Sequence, residues 1–366
     1  MKAGRALPDL LKEVLRQQET KRDFIADTRQ VEMTADDHLR FGDQTVGINE
    51  IAHDQIGSHT QIPARYYDKM RKEAPDLLAT NVNRWFTKYP AVRMIRTLDD
   101  KARAFPSDHF RALDNSDLLE AALPPLMDMG VEVLSCEVTE RRLYLKVVDR
   151  RILRDLPMNW SPTNRGHQRF DTVSPALTLS NSEVGCGALA CQTSVFTGGC
   201  SNLMVINERS VRKYHVGGKH ELGEEVFKML SESTKKLTDA ALWAQLRDVV
   251  SAAFDQARFD ATCQKLEDAT REKLDGDPIK VVEVTAKKFG FSDGERNSVL
   301  RHLIAGGDLS KYGLHSAVTR AAEDLDNYDR ASHFEQLGGQ IVELPKSEWQ
   351  EIVKAANRET REVVAA

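Results

Sequence analysis

Two alternating runs, VEVLSCEV at 131–138 and RLYLKVV at 142–148, flank the polar tripeptide Thr139-Glu140-Arg141. Period-two alternation on both sides of a short polar break predicts an antiparallel strand pair, and a strand pair of this length needs a cover for its apolar side. A second hairpin is predicted from Val92–Leu98 and Lys101–Phe105 across the turn formers Asp99 and Asp100. Apolar runs at Ala176–Leu179, Ala188–Phe196 and Leu203–Ile206 extend the pattern. The reading is one antiparallel sheet spanning roughly Val92 to Ile206.

Helical spacing surrounds this sheet region. Leu7, Leu10, Leu11, Val14 and Leu15 share one helical face. Helices are predicted from Ile48 toward Ser58, over Ala64–Ala74 after the break at Gln61-Ile62-Pro63, over Asp76–Phe86, and over Asn115–Met129. No proline or glycine occurs from Val226 to Leu274, and everything beyond Glu221 reads as helical. Ser292 and Glu295 form a capping box, with Gly306-Gly307 as the matching stop. Pro345 separates Gly338-Gly339 and a short IVEL run from a last helix, Ser347 to about Val363. The fold class is α+β, an antiparallel sheet with flanking helices and a mostly helical C-terminal region. Four regions are expected: a helical 1–90, a basic α+β core at 91–220, a helical 221–345, and a terminal helix at 346–366.

Charge singles out the middle of the chain. Between Thr139 and His220 twelve Lys or Arg face six acids, a net of +6, which leaves −11 for the rest of a chain whose total is −5. Fixed positive charge concentrates polyanions locally, and the phosphate backbone is the commonest of them. Charge alone is equally consistent with acidic helices packed against basic strands. The chain is long enough, at 366 residues and 41% hydrophobic, to build real cores. Five cysteines make no disulfide framework, and no apolar run approaches the ~20 residues that span a bilayer. A cytoplasmic protein with no membrane partner is expected.

Few patterns point to chemistry. Cys186, Cys191, Cys200, His215 and His220 could supply zinc ligands, but their spacing lacks the paired knuckles of structural zinc sites, so no metal is expected. The glycines of VGCGAL and TGGCSN match neither a P-loop nor a dinucleotide fingerprint, so no cofactor is expected either. Asp149, Asp171 and Glu183, with Lys146 near Asp149, are the candidates for a metal-dependent nuclease. His53 beside Asp54 and His109 beside Asp108 read as surface histidines that do not face their acidic neighbours.

Single strands are bound by a positive groove carrying rings on which bases stack, at ~1 to 3 kcal/mol per base. Tyr144, Trp160, Phe170, Phe196 and Tyr214 interleave with the basic residues, and the segment NWSPTNRGHQRF reads as a loop or hairpin tip. The candidate nucleic-acid contacts are therefore Arg141, Arg142, Lys146, Arg150, Arg151, Arg154, Trp160, Arg165, Arg169 and Phe170. Asn181, Ser182, Glu183 and Gly185 read as a structural turn with Glu183 holding a basic neighbour, and Cys200 and Asn202 form a further Cys-x-Asn motif.

Across most of its length the chain resembles a family of phage/plasmid-like proteins catalogued as a domain of unknown function. The likeness lies in QIGSHTQIPARYY, NVNRWF, ARAFPSDHFRALDNSDLL, LSNSEVGCGAL, Cys200 to Asn202, DLSKYGLHSAVTRAAED and EQLGG. Departures are Pro106, His109-Phe110 and Leu203. The resemblance implies mobile-element biology in a bacterial host cell and brings no established reaction. The order of elements is also similar to the β-β-β-α core of single-strand annealing proteins. The expected function is a DNA-binding protein of phage or plasmid recombination or replication that holds, and by this likeness anneals, single-stranded DNA as a homo-oligomeric ring or filament. The alternatives are a nucleic-acid-processing enzyme and an interaction or anti-defence protein.

Overall fold

The computed structural model describes residues 1–157, 170–198, 202–206, 211–213 and 231–365. The α+β class holds, but the strands form two sheets instead of one.

Helix α1 (Leu7–Thr20) leads into β1 (Arg22–Asp27), a 3-10 turn, and the short strands β2 (Val31–Met33), β3 (His38–Phe41) and β4 (Gln44–Ile48). Three helices follow, α2 (Glu50–Thr60), α3 (Ala64–Glu73) and α4 (Pro75–Lys88), and then the hairpin β5 (Val92–Leu98) and β6 (Lys101–Ala104). These strands form a mixed sheet in the order β1-β5-β6-β4-β3-β2, parallel only between β4 and β6. The Val92–Ala104 hairpin, with Asp99 and Asp100 at positive φ, therefore belongs to this first sheet and not to the one that follows it. The first ninety residues, expected to be helical, carry four of its strands. Strands of three to six residues such as VEM and HLRF are too short to show an alternation. Leu39, Ile56, Phe86, Ile95 and Phe105 pack between this sheet and α2 to α4.

Helix α5 (Asn115–Asp128) precedes the second sheet, which is antiparallel throughout. Its strands are β7 (Glu132–Val138), β8 (Leu143–Val148), β9 (Arg154–Pro157), β10 (Phe170–Asn181), β11 (Leu189–Thr197), β12 (Asn202–Val205) and β13 (Val211–Lys213). They run β12-β11-β10-β8-β7, with β9 continuing along β10 and β13 along β11.

The remaining helices are α6 (Glu232–Ser251), α7 (Gln256–Arg271), α8 (Pro278–Phe289), α9 (Asp293–Gly306), α10 (Lys311–Ala321), α11 (Tyr328–Glu343) and α12 (Lys346–Ala365). Leu10, Leu118, Leu145, Leu179 and Leu246 join α1, α5 and α6 to one face of the second sheet. Val173 and Val195 continue that face toward Phe259 and Leu266 of α7 and Tyr312 of α10, and Tyr144 and Lys146 on the opposite face meet Asp329, Ser332 and Glu335 of α11. Covered on both faces, β8 is buried at every position. Both ends of α9 are as expected: Ser292 and Glu295 exchange capping hydrogen bonds, and Gly307 adopts a left-handed conformation at the stop. The pair Gly338-Gly339 lies inside α11, where a Cβ on Gly339 would collide with the Val205 carbonyl oxygen. Gly339 lets this helix press onto the end of β12, and Gly338 lets it press onto Thr319 of α10.

Candidate functional site

The turn after β10 is the junction between the two sheets. Glu183, 5% exposed, accepts hydrogen bonds from Arg103 Nη2 at 2.6 Å and from the Asn115 backbone N–H at 2.7 Å, and Lys21 Nζ lies 3.7 Å away. Its backbone carbonyl accepts from Arg96 Nη1 at 2.8 Å. Arg96 is fully buried and also pairs with Asp23 (2.8 Å) and Asp114 (3.1 Å), while Lys21 Nζ sits 2.5 Å from Asp114. Three cations thus meet three carboxylates. Burial opposes ionisation of Asp114, but Arg96 and Lys21 outweigh it and hold its carboxyl below the ordinary range.

The neighbouring residues hold the turn in shape, as the sequence reading of Asn181, Ser182, Glu183 and Gly185 expected. Asn181 Nδ2 donates to the Leu113 carbonyl (2.8 Å) and to Asn115 Oδ1 (3.0 Å). Ser182 Oγ donates to the Arg141 carbonyl and accepts from the Cys186 N–H. Gly185 has φ +77°, a conformation that side chains rarely adopt. Gln55 of α2 closes the junction by donating to the Val184 carbonyl at 2.7 Å.

Against this turn lies a cleft of about 650 Å³. Gln55, Ser58 and His59 of α2 form one wall, Gly185 to Ala188 the other, with Arg93 and the rings of Phe105 and Phe110 between them. Among the described residues no carboxylate lines it. The Arg93 guanidinium lies 5.2 Å from the Phe105 ring centre and donates from Nη2 to the Phe105 carbonyl at 2.8 Å. Burial lowers its pKa, yet it stays far above neutrality as a cation. Burial and Arg93 both lower His59, which is therefore neutral at pH 7. Burial raises the Cys186 thiol at the cleft wall, while Arg141 and Arg142 pull it down and Asp329 and Asp54 push it up. Arg142 donates from Nε to the Cys186 carbonyl at 3.1 Å, and Arg141 is exposed. Phe105 is fully buried, stacked on Phe86 on one side and covered by Arg93 on the other, and Phe110 is buried too, so what the concavity offers a ligand is cationic charge.

The other expected contacts are dispersed. Lys146 is fully buried, 2.7 Å from an equally buried Glu335, with its Nζ 4.6 Å from the Tyr328 ring centre. It cannot reach a surface polyanion. Arg150 pairs with Glu132 (2.6 Å) and lies over the Phe196 ring, while Arg151 pairs with Asp149 (2.7 Å); both keep about half or more of the side chain exposed. Arg154 is divided between Asp260 and Glu267 of α7. Acidic groups from the helices and the strands therefore neutralise much of the basic sheet. Phe170 is 51% exposed, but Tyr144 and Phe196, expected among the stacking rings, are buried. Trp160, Arg165, Arg169, Tyr214, Cys200, His215 and His220 lie outside the described residues, as does the side chain of Asn202.

The three acids of the alternative enzyme reading are not brought together. Asp171 accepts from Tyr312 Oη at 3.1 Å near the start of β10, whereas Glu183 follows that strand's far end, about 33 Å along if straight. Asp149 is held low by Arg151. Among the described residues no group of three His, Cys, Asp or Glu side chains is placed to hold a metal ion. Cys191 is sealed in the core, where burial pushes its thiol up to about 12.

Two histidines differ from expectation. His53 is buried, with Nδ1 2.9 Å from the Tyr67 hydroxyl and Nε2 3.0 Å from Asp37 Oδ1. His109 does face its neighbour, with Nε2 3.3 Å from Asp108 Oδ1, because the pair sits in a turn and not on a regular element. The cleft itself escaped sequence reading because its walls lie about 130 residues apart. No family model, no curated protein and no solved structure matches the chain.

Proposed function

We propose that the protein binds single-stranded DNA without chemical conversion, in recombination or replication of a phage or plasmid, and that the cleft beside the Glu183 turn receives a backbone phosphate. The observation carrying this reading is a cleft that holds Arg93, has Arg142 bonded to the Cys186 carbonyl at its wall, and shows no carboxylate among its described lining residues. Phosphates contribute charge to the guanidiniums whatever the sequence, and Phe170, exposed on the second sheet, offers its ring to an unstacked base. A duplex keeps its bases stacked and offers such a ring nothing. Arg141, Arg150, Arg151 and Phe170 remain accessible as further contacts.

The test is a gel shift with labelled single- and double-stranded DNA at about 50 and about 200 mM salt, with and without magnesium. Single strands should bind more tightly, and binding should fall steeply with salt. Replacing Arg93 with Ala should weaken binding and flatten the log–log salt slope by about 0.7, the value for one lost phosphate contact on a single strand. Absence of any shift at the lower salt sinks the proposal, and magnesium-dependent cleavage replaces it with the enzyme reading.

A further inference from the structure

Helix α4 ends in a feature that the cleft does not use. Trp85 and Tyr89 stack with ring centroids 5.6 Å apart and planes 5° apart, and Lys88 Nζ lies 5.1 and 5.3 Å from the two ring centres. Phe86, in the same turn, is fully buried and fills the first core, so the Trp–Tyr pair is not needed to anchor the helix. Tyr89 is 59% exposed, and Arg84 and Lys88 are exposed beside it. No acid occurs between Asp76 and Asp99, a run that carries Arg84, Lys88, Arg93 and Arg96. The 3-10 turn against this helix end adds Arg29, which holds the adjacent Asp27 at 2.7 Å.

We infer that Trp85, Lys88 and Tyr89 form a second contact site for single-stranded DNA, on which a base stacks against the outer face of Tyr89. This rests on the single-strand reading proposed above. A ring pair held parallel before binding loses little freedom when a base is added to the stack, and Lys88 and Arg84 provide the charge for its flanking phosphates. The site also lies close to the cleft. Three residues separate Tyr89 from Arg93 in the cleft wall, so the four steps between them span at most about 14 Å of extended chain. Both therefore fall within the ~4 to 16 nucleotides that one such module covers, and His59 links them, packing on Phe86 and Phe105.

The experiment is fluorescence anisotropy of a labelled oligothymidylate of about fifteen residues at low salt. It uses the wild type, Tyr89→Ala, Tyr89→Phe, Lys88→Ala, Trp85→Phe and Arg93→Ala, each confirmed folded by thermal melting. Tyr89→Ala and Lys88→Ala should each bind about tenfold more weakly, and Tyr89→Phe should keep its affinity because the ring is retained. Unlabelled oligothymidylate should quench wild-type tryptophan emission, and Trp85→Phe should lose most of that change. If Tyr89→Ala and Lys88→Ala bind like the wild type while Arg93→Ala is weakened, the platform is refuted and the cleft reading stands. If the wild type does not bind, both fall.

Discussion

At the scale of single residues, the outcome for Lys146 shows how charge and burial combine. Removing one member of a buried ion pair strands the other, at about 3 to 5 kcal/mol, whereas replacing both with apolar side chains of similar size is often neutral or stabilising. Lys146→Ala should therefore be severely destabilising, and Lys146→Met combined with Glu335→Leu should recover most of the loss in urea unfolding. The run RLYLKVV shows a lysine within a strand. It does not show that Ser332 and Glu335, nearly two hundred residues later, arrive to cover it. His315 makes a pH-dependent case. Burial holds it near 4, against 6.5 for a free histidine. Between those values the unfolded chain binds the proton and the folded chain does not, so stability present above pH 6.5 is lost as pH falls toward 4, at up to about 1.4 kcal/mol per pH unit. His315→Gln should flatten denaturation midpoints across that window. An unchanged slope would show that another group governs it.

Among the elements, those with local signals were legible. The hairpin β5–β6 has Asp99 and Asp100 to mark its turn, β7 and β8 alternate, and α9 carries both its start and its stop signal in sequence. Strands β1 to β4 were not legible, because they are short and polar and pair through contacts that no local window contains. Gly338 and Gly339 stand out in the sequence, but nothing local shows that they lie inside a helix. Within a helix a glycine costs helix propensity, and here close approach to β12 compensates. Gly339→Ala should consequently destabilise the protein by about 1 to 3 kcal/mol, although alanine is the better helix former. A melting temperature equal to or above that of the wild type would contradict the close contact. The cleft was illegible for the same reason as β1 to β4, since α2 and the turn after β10 meet only in the fold.

For the whole molecule, the open question is assembly. Holding a strand extended for annealing requires more nucleotides than one module covers, so in the proposed function copies should associate along DNA. Size-exclusion chromatography with light scattering, with and without single-stranded DNA, should show species larger than 41.2 kDa; a monomer under both conditions would leave a simple binding module. Much of the charge on the later helices is already engaged within the chain, as with Asp260, Glu267 and Glu335, which restricts the faces left for such contacts. The Glu183 junction sets the cohesion of the whole. Glu183→Gln keeps the shape but removes one of three carboxylates facing three buried cations, and should cost about 3 kcal/mol or more. Unfolding followed by near- and far-ultraviolet circular dichroism should still give one coincident transition; separate transitions would mean that the sheets are independent.

That junction also dictates when the molecule can form. Its partners are separated by 73, 80 and 87 residues in the chain, and contacts of such high sequence separation are made late and slowly. During synthesis, Arg96 and Arg103 leave the ribosome with their final partner, Glu183, not yet made. The first ninety residues can condense around Phe86 but not lock, and a nascent chain stalled before Glu183 should remain protease-sensitive up to the point where that one carboxylate appears.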